Sequence, residues 1–212
     1  MAALNLQEQE QLESLKGWWS DNGSWILGAL LVVLVTVGGW RGWQYYQHQQ
    51  ATEALTLYSQ FLKQLSVQDN KRIDDAAAAV MDKYASSAYA PRAALLAAQM
   101  NELSGSAEKA KTQLQWVIDH AGEPALKDVA RLRLAAVLLD GEKYAEALQL
   151  LNTKHADSFD GLYADLKGDV LSAQGKTDEA RSSYKLAYEK TDSNSVYRNL
   201  IQMKMDALGA AS

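Results

Sequence analysis

The sequence predicts an all-α protein in which one transmembrane helix is followed by a stack of helical hairpins. Three observations carry that reading. Only two prolines occur in 212 residues, within a chain rich in Ala, Leu, Gln and Lys, which cost a helix least. Between Asp21 and Arg41 lie 19 residues without a formal charge. Beyond Gln47, apolar residues recur at helical spacing between short polar breakers.

Residues 1–21 form an acidic N-terminal tail, in which Glu8, Glu10, Glu13 and Asp21 outnumber Lys16. Leu4, Leu12, Leu15 and Trp19 fall near one face of a helix, so a segment lying on a membrane and a frayed tail both fit.

Residues 22–46 form the anchor. Its uncharged stretch gives about 28 Å of helix, enough for a hydrocarbon core of roughly 30 Å if Arg41 snorkels outward. Ile26, Leu27, Leu30, Leu31, Val32, Val33, Leu34, Val35 and Val37 supply the insertion energy. Trp18, Trp19 and Trp25 gather at one end; Trp40, Trp43, Tyr45 and Tyr46 gather at the other. Two aromatic belts at two water–lipid interfaces have this arrangement, which makes membrane lipid the first expected partner. A cleaved export signal would begin with a basic segment and end in small residues, and this stretch has neither, so the anchor is expected to stay attached. Lys16 with the amino terminus on one side faces Arg41 on the other, a bias toward a cytoplasmic N-terminus too small to decide orientation.

Residues 47–212 form the third segment, where 19 basic residues face 22 acidic ones within a whole-chain net charge of -5. No basic stripe exists for phosphate, which argues against nucleic acid as a partner. With no cysteine, disulfides, thiolate chemistry and Cys-ligated zinc are excluded. The anchor helix is expected to continue through "ATEALTLYSQFLKQL" and to break at "SVQDN". Further breaks fall at "SSAYAP", "LSGSA", "HAGEP", "DGEKY", "TKHADSFDG", "AQGKT" and "KTDSN". Pro91 and Pro124 stand at helix starts, where a missing N–H is harmless.

Three of these turns share a register. Gly168, Gly175, Ala180, Tyr184 and Ala187 are separated by seven, five, four and three residues, and Ala98, Gly105, Ala110, Leu114 and Val117 repeat those steps. In a third copy Ala135, Tyr144, Ala147 and Leu151 fit, with Gly141 displaced by one position and Lys154 at the usual small site. Ala110 to Ala147 spans 37 residues and Ala147 to Ala180 spans 33, bracketing the ~34-residue tetratricopeptide repeat. Small residues let two antiparallel helices approach, and Tyr or Leu one turn later fills the groove. An ordinary Ala/Leu-rich bundle is the alternative. A terminal capping helix is expected at about 194–208, with Leu200, Met203 and Leu208 inward and Arg198 and Lys204 outward.

The chemistry-bearing residues are sparse. His48, His120 and His155 have no metal-ligand spacing. No phosphate loop, nucleophile elbow or zinc-protease helix occurs. Asp74–Asp75 reads as a solvated cap. The expectation is a binder and no enzyme, without catalytic residues, cofactor or metal. The first helix of each repeat would expose Leu95, Gln99 and Glu102, then Leu132, Ala136 and Leu139, then Asp165, Asp169 and Ser172. That combination of a leucine floor and an acidic rim suits an amphipathic or extended polypeptide with some positive charge.

The acidic tail with its Trp18–Trp19 pair, the stretch "WILGALLVVLVTVGGWRGWQYYQ", and the segments "YAPRAALLAAQ" and "GKTDEARSSY" together resemble the YfgM family of ancillary SecYEG translocon subunits. The resemblance runs from tail to repeats. It implies a bacterial inner-membrane protein of single-pass topology, with a cytoplasmic N-terminus and a periplasmic C-terminal domain. It also implies association with SecYEG and the chaperone PpiD, assisting nascent exported polypeptides. The rival expectation is a scaffold for envelope assembly or cell division that binds protein partners through the repeats.

Overall fold

The computed structural model describes residues 6–66 and 69–210, and every regular element among them is helical. Leu4 of the expected tail stripe lies outside the described residues. The chain divides into two compact units, one ending at Ala51 and the other beginning at Thr52.

The first unit is the greater part of α1 (Leu6–Leu65). The most apolar 18-residue window of this helix has a mean hydropathy of 1.9 and is 6% buried. A core helix of a water-soluble domain would be mostly covered, whereas the large apolar side chains from Leu27 to Val37 are 52–66% exposed. The helix is long and apolar enough to cross a membrane.

The second unit opens with the last turns of α1 and continues through α2 (Asn70–Lys83), α3 (Tyr89–Leu103), α4 (Ala107–His120), α5 (Pro124–Asp140) and α6 (Tyr144–Leu151). A 3₁₀ turn (Asp157–Phe159) precedes α7 (Asp160–Ala173), α8 (Thr177–Lys190) and α9 (Tyr197–Ala210). Local signals set the boundaries. Asp69 caps α2 by accepting from the backbone N–H of Lys71 and Arg72 at 3.1 and 3.2 Å. Pro124 is the first residue of α5 and Pro91 the third of α3, where no intrahelical N–H bond is lost.

The turns after α3, α5 and α7 have one geometry. The N–H of Ser106 reaches the carbonyl of Asn101 at 2.8 Å, that of Lys143 reaches Leu138 at 2.8 Å, and that of Lys176 reaches Leu171 at 2.9 Å. The residue before each donor is left-handed: Gly105 and Gly175 at φ 74°, Glu142 at φ 57°. These are Schellman closures. In the middle repeat the left-handed position therefore falls on Glu142 and not on the adjacent Gly141, whose φ is -86°. The repeat register is unbroken there, and only the residue type departs.

Three apolar clusters follow one another along the stack. Phe61, Ile73, Ala77 and Val80 pack with Ala90, Ala93 and Ala97 of α3. A middle cluster runs from Ala94 to Val170, and a last one joins Ala164, Leu171, Ala180, Tyr184, Ala187 and Ile201. The predicted crossing residues Ala98, Ala110, Ala135, Ala147, Ala180 and Ala187 have no exposed surface, as close backbone approach requires.

Two packing expectations are corrected, one on the faces of α9 and one at Asp74. Leu200 and Met203 do not point inward: they are 44% and 67% exposed, and Ile201, with Tyr197, Met205 and Leu208, forms the buried face of α9. Lys204 does not point outward, because Asp165 and Asp169 of α7 hold it. Asp74 is likewise no solvated cap. It accepts from Asn101 at 2.7 Å, Gln113 at 3.0 Å and Lys109 at 2.8 Å, tying α2 to α3 and α4.

The third departure is α6, eight residues long where α4 and α8 have 14 each. Lys154 stands at the offset that Val117 and Ala187 occupy in full burial. Continuing the helix would bury an unpaired ammonium, and the chain leaves the helix at Asn152 instead. The irregular segment is fastened to α5 by Asp128, which is buried and accepts from Arg131 at 2.8 Å and the backbone N–H of Ala156 at 3.1 Å. His155 stacks on Tyr163 at 3.8 Å between centroids.

Candidate functional site

The first helices of the repeats place four of the nine expected contact residues in one cleft. Leu132 and Ala136 of α5 and Asp165 and Asp169 of α7 line a cavity of about 270 Å³ together with Arg133, Tyr197 and Lys204. Leu139 and Ser172 are half-buried outside that cleft, Gln99 is exposed, and Leu95 is buried. Glu102 is engaged by Arg133, whose two terminal nitrogens donate to the Glu102 carboxylate at 2.8 Å and to the Leu95 carbonyl at 3.0 Å.

The acidic side of this cleft is already partnered from within. Asp165 is 2% exposed and accepts from Tyr197 at 2.5 Å and Lys204 at 2.7 Å. Asp169 accepts from Tyr184 at 2.8 Å and from Lys204 at 2.9 Å. Burial alone would lower the Lys204 pKa, but the hydrogen bonds it donates to both carboxylates outweigh burial and raise it. Burial, and then the neighbouring aspartates, push the Tyr184 and Tyr197 phenols well above their ordinary range. Sequence reading missed Tyr197 and Lys204 here because they come from α9, more than 30 residues along the chain.

A larger groove of about 750 Å³ lies among the second helices. Trp116 and Asp119 of α4 form one wall and Glu146 and Leu150 of α6 the other, over a floor of Leu134 and Leu138 from α5. His120 is stacked on Trp116 at 4.5 Å. The one sequence signal for this groove was Lys154 at a small-residue position, which foretells the early end of α6.

Along α1, Trp18, Trp19 and Trp25 form one exposed group and Trp40, Trp43, Tyr45 and Tyr46 another. Trp19 to Trp43 is about 36 Å of helix, inside the 40–45 Å that separates the outer limits of two headgroup regions. Among the described residues, no three His, Cys, Asp or Glu side chains are grouped as metal ligands. The surfaces offer hydrogen bonds, charge and apolar contact.

Residues 16–210 match the family model described as a tetratricopeptide repeat-like domain. The chain is 31% identical over 210 residues to the ancillary SecYEG translocon subunit of Neisseria gonorrhoeae, covering 97% of this chain and 99% of that one. It is 27% identical to the protein of the same name in Haemophilus influenzae, over 97% of this chain and 100% of the other. For the Escherichia coli protein of that name the identity is 28%, over 95% and 96%.

Proposed function

Because the chain belongs to the family of ancillary SecYEG translocon subunits, YfgM, we propose that it is a membrane-anchored, non-catalytic binding scaffold that works beside the SecYEG channel. The observation that carries this reading is similarity from end to end, anchor and repeats together, to proteins bearing that name. The fold supports it physically: an exposed apolar helix that suits lipid, joined in one chain to stacked hairpins whose clefts offer hydrogen bonds, charge and apolar contact.

In this reading the N-terminus is cytoplasmic and residues 47–212 are periplasmic, with Trp18, Trp19 and Trp25 at one interface and Trp40, Trp43, Tyr45 and Tyr46 at the other. The first-helix face, with Leu132 and Ala136 as an apolar floor and Gln99 at its margin, meets emerging exported polypeptides. PpiD acts alongside it. Asp165 and Asp169 contribute less free charge than their number implies, since Lys204 neutralises part of it.

Photo-crosslinkers at Gln99 and Leu132 in native bacterial membranes test this. Adducts with SecYEG components, PpiD or nascent exported chains are expected. Adducts with division or envelope-assembly proteins, and none with the translocon, would overturn it. A C-terminal reporter active only outside the cytoplasm tests the topology, and a stable but silent fusion reverses it.

A further inference from the structure

We infer that the groove between α4 and α6 is a second docking surface, shaped for an extended segment of a partner polypeptide that alternates apolar with basic side chains. It is separate from the first-helix cleft and does not depend on what that cleft binds.

The groove runs between α4 and α6, the latter six residues shorter than α4 and α8. Leu134 and Leu138 of α5, 6% and 5% exposed, close its base. Met81, Trp116 and Leu150 add apolar wall. The lining follows α4 from Glu108 to His120, a length of about 18 Å. That distance accepts five to six residues of extended chain, whose alternate side chains face the same way. The volume of about 750 Å³ lies within the range of ligand-filled sites.

Charge selects the occupant. Glu108, Asp119 and Glu146 line the groove against the single ammonium of Lys111, and Glu108 already holds that ammonium. Asp119 receives only a neutral donor, Gln115, at 3.0 Å. Asp119 lies eight residues beyond Lys111 on α4, about 12 Å away along the axis. The lining therefore carries more carboxylate than ammonium, and the charge left without a cation is Asp119 at the far end of the trough, since Lys143 and Lys111 stand beside Glu108 and Glu146 at the other. Lysine or arginine beside leucine-like side chains complements it, and an acidic segment is repelled.

The test uses the full-length protein in phosphatidylcholine nanodiscs, with empty discs subtracted. The probes are a fluorescein-labelled hexapeptide of alternating leucine and lysine and its leucine–glutamate counterpart. Saturable anisotropy is expected for the leucine–lysine probe, at least about tenfold tighter than for the other. Asp119, Glu146 and Gln149 are all exposed, so their variants should keep the helical circular-dichroism signal. Asp119→Lys with Glu146→Lys should weaken the leucine–lysine probe by about tenfold or more and strengthen the leucine–glutamate probe. Gln149→Trp, which fills the trough, should abolish binding, while Leu132→Glu in the other cleft should leave it unchanged. Equal binding of both probes, no saturation, or indifference to the charge reversal would overturn the proposal. Loss through Leu132→Glu alone would also overturn it, assigning the probe to the first-helix cleft.

Discussion

The ring of Tyr184 occupies the space that a side chain on Gly168 would need: a Cβ built there falls 2.5 Å from the ring carbon Cδ1. The other two repeats solve the same crossing differently, with Ala98 and Leu114, and Ala135 and Leu151, at the equivalent positions and buried in the middle cluster. Gly–Tyr and Ala–Leu are two ways of filling one volume, and the pairs are not interchangeable piecemeal.

Gly168→Ala should therefore destabilise the protein by about 1–3 kcal/mol, the usual cost of overpacking. Adding Tyr184→Leu recreates the pair used elsewhere in the chain and should recover at least about 1 kcal/mol of that loss. A double-mutant cycle measured by chemical denaturation reads the coupling. Strict additivity would show that the ring is free to move aside.

Glu142 holds a left-handed backbone with a Cβ, at φ 57°, where the neighbouring repeats have glycine. Glu142→Gly should stabilise the protein by about 0.5–1 kcal/mol, the strain relieved less the added freedom of the unfolded chain. Gly175→Ala should cost about 1 kcal/mol by the same reasoning. Thermal unfolding of both variants checks the pair of signs.

Acid should loosen the junction of α2, α3 and α4. Burial by itself would raise the pKa of Asp74, but hydrogen bonds from Lys109, Asn101 and Gln113 outweigh it and hold it below the ordinary 3.8. The folded state then binds its proton later than the unfolded chain. The stabilisation is present above the unfolded pKa and is lost as pH falls through the folded value. Stability measured against pH should decline below about pH 4, and Asp74→Asn should flatten part of that decline while lowering stability at neutral pH.

Lys204 should control the docking of α9. Lys204→Met leaves the buried Asp165 with Tyr197 as its remaining side-chain donor and should cost about 3 kcal/mol. The raised pKa of Lys204 gives stability that is complete below its unfolded value of about 10.4 and is lost as pH rises through the folded one. The raised phenols of Tyr184 and Tyr197 add to the alkaline loss. Hydrogen exchange over residues 197–210 should accelerate at alkaline pH before exchange in α3 and α5 does.

Much of this architecture was legible because it is written in short-range terms. Helix periodicity, the break at residues 66–70, Pro124 at the start of α5 and glycine at two of the three turns each depend on a few neighbouring residues. The spacing from crossing residue to turn to crossing residue followed from that regularity. Gly141 stands one position off that register, and the hydrogen bonds give the left-handed conformation to Glu142. Lys204 and Asp74 were misread and Tyr197 was passed over because their partners lie 27 to 39 residues away, and no window along the chain contains both ends of such a contact.

By itself the sequence determined a greasy helix with aromatic ends, a repeating hairpin, and a chain without cysteine, since all three depend on which residues occur and at what spacing. Only the tertiary structure decided which face of α9 is buried, how far the acidic cleft is neutralised from within, and that a trough runs between α4 and α6. Those outcomes depend on distances between elements, which arise when helices pack against one another and the buried charges must find partners.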